Sequence, residues 1–230
     1  MERERGNLAR YFSPNVVEEL AKHDEPLKLV RSQKVAVLFV DIVGFTAFAD
    51  TRTPEEVVRT LREFHALMEQ EVFRHSGTLD KYLGDGLMAT FGTPFAGEVD
   101  ASNALRGTQA MIAAADRWSD ERKATGEAPI RVSFGLHYGP VVLGDIGVTC
   151  LEFAVIGSTV NVASRLEALT RALDCALVAS DDLVKRAKAE LGRAEAVFRP
   201  LMAQTPQVIR GLEHPIAIWT QTRAGSIVAA

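Results

Sequence analysis

The chain has 230 residues, 47% of them hydrophobic, which suits one domain with a sizeable core and at most a short extension. Its 26 basic and 30 acidic side chains leave a net charge of −4, and there is no Lys/Arg run. That balance argues against a nucleic-acid binder working by bulk electrostatics. No apolar stretch reaches the ~18 residues of a membrane span, and the polar start MERERGN lacks a signal-peptide core. The expectation is a soluble, cytoplasmic protein, with attachment through a region outside this chain left open.

Residues 1–33 stand apart. Ser13-Pro14 is an N-cap followed by a first-turn proline, and Val16, Val17 and Leu20 continue as a short amphipathic helix. This segment either packs on the body of the domain or connects to an upstream regulatory module. From Lys34 the pattern becomes α/β. Val35–Val40 is an apolar run of strand length ending at Asp41. Thr53-Pro54-Glu55-Glu56 is a capping box, and Val57, Leu61, Phe64, Met68 and Val72 follow at helical spacing up to Gly77. Thr78–Tyr82 and Leu87–Phe91 flank Leu83-Gly84-Asp85-Gly86 as a β-hairpin with Asp85 at its tip.

A second helix carries Ala101, Ala104, Leu105, Thr108, Met111, Ala115 and Trp118 on one face and ends before Gly126. A strand at 130–137, a bend at Gly139-Pro140, and strands at 141–146 and 152–156 follow. Ser158 is expected to cap a helix from 159 to about 170. A final α/β stretch from Ala176 holds a Ser180-capped helix and a strand near 215–220. The order β-α-β-β-α-β predicts an α/β (α+β) fold with a ferredoxin-like core and extra C-terminal α/β elements. Such a sheet has one face under helices and one free, so a second subunit is expected on the free face.

Three segments carry the candidate chemistry: VDIVGFT at 40–46, KYLGDGLMATFG at 81–92 and TVNVASRLE at 159–167. The first two each bring a carboxylate, Asp41 or Asp85, to a glycine-containing bend. Taken singly, each also reads as an ordinary strand end or turn residue. Together they suit Mg²⁺, which prefers one or two carboxylates plus phosphate oxygens. Gly44 lets the chain turn closely, so the amides of 43–46 can meet a phosphate. Asn161 and Arg165, at i and i+4, share one helical face. Most such pairs form an exposed polar face, with the arginine paired to a surface acid, but the small neighbours Ala163, Ser164 and Ala168 leave room for a ligand, and a guanidinium suits phosphoryl oxygens. Lys81 lies four residues before Asp85 and also reads as a snorkelling edge lysine. Cys150 and Cys175 lack CxxC spacing and read as buried free thiols; the five histidines lack metal-ligand spacing.

Over about residues 34–220 these segments resemble the class III adenylate/guanylate cyclase catalytic domain family. The resemblance implies a nucleotide cyclase fold over 34–230 and two Mg²⁺ or Mn²⁺ ions held by Asp41, Asp85 and the Ile42 carbonyl. It implies phosphates on the amides of Val43, Gly44, Phe45 and Thr46, a ribose oriented by Asn161, and a transition state stabilised by Arg165. Lys81 matches the position that reads the purine. The family builds each site from two subunits, so a homodimer acting on ATP is expected. A lysine can donate to N1 of adenine but not to the N1–H of guanine, which favours ATP. Three positions depart from the pattern. Ala154 stands where a second base reader is usual. Pro140 stands where some members have a phosphate-binding arginine. Leu212 stands where some have a lysine, with Arg210 nearby. The alternatives are a guanylate cyclase and a non-catalytic nucleotide-binding or dimerisation module.

Overall fold

In the computed structural model, residues 30–146, 152–192, 196–210 and 212–223 are described below. The amphipathic segment near Pro14 and Cys150 lie outside them. An eight-stranded sheet runs in the order β2-β3-β1-β4-β6-β8-β7, with β5 (Glu152–Ile156) paired to β4 off that path. The strands are β1 (Arg31–Ile42), β2 (Thr78–Leu83), β3 (Gly86–Phe91), β4 (Val132–Ile146), β6 (Leu177–Ser180), β7 (Met202–Gln207) and β8 (Ile216–Gln221). The helices are α1 (Phe45–Ala49), α2 (Pro54–Arg74), α3 (Asp100–Ala124), α4 (Ser158–Ala172) and α5 (Asp181–Leu191). The first four strands lie side by side as β4-β1-β3-β2, all adjacent pairs antiparallel. That is the ferredoxin-like core expected from the element order.

The strand residues alternate between two cores. Ala36, Leu38, Val40 and Ile42 point to one face and pack with Phe64, Met68 and Val72 of α2, Leu105 and Met111 of α3, and Leu183 of α5. Val35 and Val37 point to the other face, beside Met88, Val141, Leu143 and Ala163 of α4. The second face is therefore roofed by α4 over β1 and β4, and is not free as expected. Both Val35 and Val37 are wholly buried within the single chain. A continuous apolar run signals a strand covered on both faces, whereas a strand with one bare face would alternate apolar and polar. Helix α4 lies so close that a Cβ on Gly135 would stand 2.2 Å from the Glu167 amide nitrogen and 2.4 Å from the Ala163 carbonyl oxygen. Only glycine fits under that crossing.

Local signals fared variously. The Thr53 capping box forms as expected: the Thr53 hydroxyl accepts from the Glu56 amide at 3.3 Å, and the Thr53 amide donates to the Glu56 carboxylate at 3.0 Å. Ser180 caps α5 by accepting from the Leu183 amide at 3.3 Å. The expected bend at Gly139-Pro140 does not exist; β4 passes straight through, pairing Pro140 with Lys34. Proline is tolerated there because the second edge of β4 is unpaired between its β6 stretch (134–136) and its β5 stretch (142–146). Ser158 is not the cap of α4. The N-cap is Gly157, without a side-chain bond, and Thr159 ties the helix start to β4 by donating to the Pro140 carbonyl at 2.6 Å.

Candidate active site

Asp41 is the penultimate residue of β1, half-buried and paired across the ladders with Gly86 on β3 and Ser133 on β4. Asp85 sits at the tip of the β2–β3 hairpin, and its carbonyl accepts from the Ile42 amide at 3.3 Å. The two expected carboxylates therefore meet at one end of the sheet. The backbone of Gly86 packs closely beside Asp41: a Cβ there would lie 3.0 Å from the Asp41 carboxylate. Burial pushes the Asp41 carboxyl up to about 6, and the charges of Asp85 and Glu167 add to it; Arg171 and the Ile42 amide act against the rise. Carboxylates crowded in this way call for a cation.

Past β1 the chain turns at Gly44, in the left-handed conformation (φ 75°), into the short helix α1. The Val43 amide is already engaged, donating to the Arg131 carbonyl at 2.8 Å. In the single chain that amide is occupied, while the amides of Gly44, Phe45 and Thr46 lie at the start of α1. Asp41, Ile42, the 43–46 turn and Asp85 line one cavity of about 580 Å³. Arg131, Thr170, Arg171, Asp174 and Arg223 complete its wall. The three arginines were not foreseen from the sequence. They sit at element ends, where spacing gives no clue. Arg223 is fixed by donating to the Val132 carbonyl at 2.7 Å and the Cys175 carbonyl at 3.0 Å. Arg171 reaches from the last turn of α4 to the Asp41 carboxylate at 2.7 Å, and stands 3.7 Å from Glu167. Glu167 is itself buried and accepts from the Ser133 hydroxyl at 2.6 Å.

The remaining expected residues do not line this cavity. Asn161 is exposed on α4. Arg165, one turn on, donates to the backbone carbonyl of Arg210. Lys81 lies on β2 opposite Met88, with its ammonium 3.5 Å from Asp80. Ala154 is buried on β5 opposite Gly144. One chain thus gathers the acids and the turn in one place, and leaves Lys81, Ala154, Asn161 and Arg165 elsewhere.

The donors around Asp41 fit a hard divalent cation: two carboxylates and backbone oxygen, with room beside them for ligands from a substrate. No group of three or more His, Cys, Asp or Glu side chains with metal-site geometry occurs among the described residues. No helix among the described residues is long and apolar enough to cross a membrane.

Residues 27–191 match the description "Adenylate and Guanylate cyclase catalytic domain". The chain belongs to this family. It is 34% identical over 170 residues to Adenylate cyclase 1 of Rhizobium meliloti, covering 74% of this chain and 25% of that protein. It is 36% identical over 159 residues to an adenylate cyclase of Anabaena cylindrica, covering 67% of this chain and 31% of that one. The chain thus spans about a quarter to a third of the length of these curated relatives. Among solved structures it resembles the adenylyl cyclase CyaB of P. aeruginosa at TM-score 0.73 and 25% identity, covering 84% of this chain and 96% of that one. The guanylyl cyclase Cya2 gives TM-score 0.72 at 24% identity, covering 84% and 93%. The fold is that of cyclase catalytic domains.

Proposed function

We propose that this domain is an adenylate cyclase, converting ATP to 3′,5′-cyclic AMP and pyrophosphate at sites shared by two copies of the chain. The observation that carries the reading is the cavity where Asp41, Asp85 and the 44–46 amides converge, while Asn161 and Arg165 stand outside it on the same chain. That separation is what a site divided between two subunits requires. The exposed cross-strand pair Val142 and Ile156 on the β4–β5 ribbon offers apolar surface to a second copy. The relatives named adenylate cyclase and the lysine at position 81 support ATP as the substrate.

In this reading Asp41, Asp85 and the Ile42 carbonyl hold two Mg²⁺ or Mn²⁺ ions. Bound there, such ions supply Lewis acidity that eases ionisation of the ribose 3′-hydroxyl and neutralise the triphosphate. The 3′-oxygen forms a bond to the α-phosphorus, the bond to the bridging oxygen breaks, the hydroxyl proton passes to solvent, and pyrophosphate departs. The amides of Gly44, Phe45 and Thr46 orient the phosphates. Asn161 orients the ribose, and Arg165 meets charge growing on the α-phosphate oxygens. Lys81 donates to N1 of adenine, and Ala154 contributes no hydrogen bond to the base. A missing bond of that kind is worth about 0.5–1.5 kcal/mol, so discrimination against GTP is modest.

The test is incubation of purified protein with Mn²⁺ and either ATP or GTP, with the products chromatographed. Cyclic AMP as the main product supports the proposal. Mainly cyclic GMP assigns a guanylate cyclase, and neither product assigns a non-catalytic module. Arg165→Ala should lower kcat by about 10²–10³-fold with little change in KM, since the group acts chiefly in the transition state. A large rise in KM with kcat intact would refute its role.

A further inference from the structure

We propose that Arg171 is a built-in placeholder cation: it occupies the Asp41 carboxylate in the metal-free domain and must leave before a divalent ion can bind there. The inference rests on the metal-binding reading of Asp41 and Asp85. It starts from an ion pair that reading does not use. The Arg171 guanidinium lies 2.7 Å from Oδ2 of Asp41, close enough for a charge-assisted hydrogen bond. It is also 3.7 Å from Glu167 Oε1. The charges of Asp85 and Glu167 both bear on Asp41, which is only 24% exposed. Such charges repel one another when no cation is present.

An arginine does not lose its proton, so Arg171 cannot make way for a metal ion by becoming neutral. It can do so only by moving. Its side chain is 51% exposed, and no other ion pair holds it among the described residues besides Asp41 and Glu167. A guanidinium and a divalent ion cannot share one carboxylate oxygen, because both are cations and both need its lone pairs. Arg171 therefore competes with the metal ion for Oδ2. Glu167 gives the displaced guanidinium a second anchor on the same helix, one turn back, where Ser133 holds the carboxylate in position. The device keeps the acid cluster compact before loading and raises the ion concentration needed to load it.

Nucleotide-free protein is titrated with Mn²⁺ by calorimetry, comparing wild type with Arg171→Met, Arg171→Lys and Asp41→Asn. Arg171→Met keeps an apolar stem and removes the charge. It should bind Mn²⁺ about fivefold more tightly than wild type, the factor expected when an exposed ion pair no longer competes. Its metal-free melting temperature should fall while its Mn²⁺-bound melting temperature stays near wild type. Arg171→Lys should bind close to wild type. A purely structural role would weaken Mn²⁺ binding in Arg171→Met, and equal or weaker binding overturns the proposal. If Asp41→Asn binds Mn²⁺ as wild type does, the metal reading itself fails and takes this one with it. If Asp41→Asn abolishes binding while Arg171→Met leaves it unchanged, only the placeholder is lost.

Discussion

Asp41 shows how one side chain couples chemistry to stability. Its carboxyl is raised from 3.8 to about 6, chiefly by burial and then by Asp85 and Glu167. A raised acid favours its neutral form in the fold, so its contribution is fully present below about pH 4 and is lost as pH climbs through about 6. In chelator, the difference in melting temperature between Asp41→Asn and wild type should move in favour of Asp41→Asn across that interval. A flat difference would mean that Asp41 is not desolvated. Cys175 makes the opposite point about reactivity. It is 1% exposed, and burial pushes its thiol up to about 11. The native protein at pH 8 should leave Cys175 unmodified by thiol reagents and expose it only on unfolding, as peptide mapping would show.

At the scale of elements, α2 and α4 differ in how they were written into the chain. Helix α2 announces itself through Thr53-Pro54 and a clean apolar repeat, and the structure matches it closely. Thr53→Ala should cost about 1 kcal/mol in chemical denaturation without altering catalysis. Helix α4 hides its beginning, since Gly157 offers no side-chain signal and the anchoring partner of Thr159 lies on a distant strand. Its position over the sheet is equally unwritten, because it depends on Gly135, an unremarkable glycine within an apolar strand. Gly135→Ala should destabilise the domain by about 3 kcal/mol or more, as overpacking against backbone leaves nothing free to yield. Strand β7 went unread because its residues are almost all exposed and carry no apolar alternation. Asp41 and Asp85 were legible because each closes an apolar run at a glycine. Arg131, Arg171 and Arg223 were not, since only tertiary folding brings them to the acids.

For the molecule as a whole, the reading of a shared site makes a complementation prediction. Asp41→Asn and Arg165→Ala damage opposite halves of each site, so a mixed dimer retains one intact centre. Mixing the two nearly inactive variants should restore activity to about a quarter of wild type if subunits exchange at random. Absence of recovery, with exchange verified by mass spectrometry, would place both residues in one centre of one chain. The roofed second face bears on the same question. Because α4 already shelters Val35 and Val37, that part of the sheet needs no second chain to cover it, and pairing can be weak and adjustable instead of obligatory. Helix α4 then has a double allegiance. In the shared-site proposal its leading half would present Asn161 and Arg165 to the neighbour's reaction, while its final turn reaches home through Arg171, about 15 Å from Asn161 at helical rise. Because the hold on Asp41 is released when a cation takes that carboxylate, loading one chamber should loosen the rod that serves the other, and the rate plotted against ATP concentration should depart from a hyperbola.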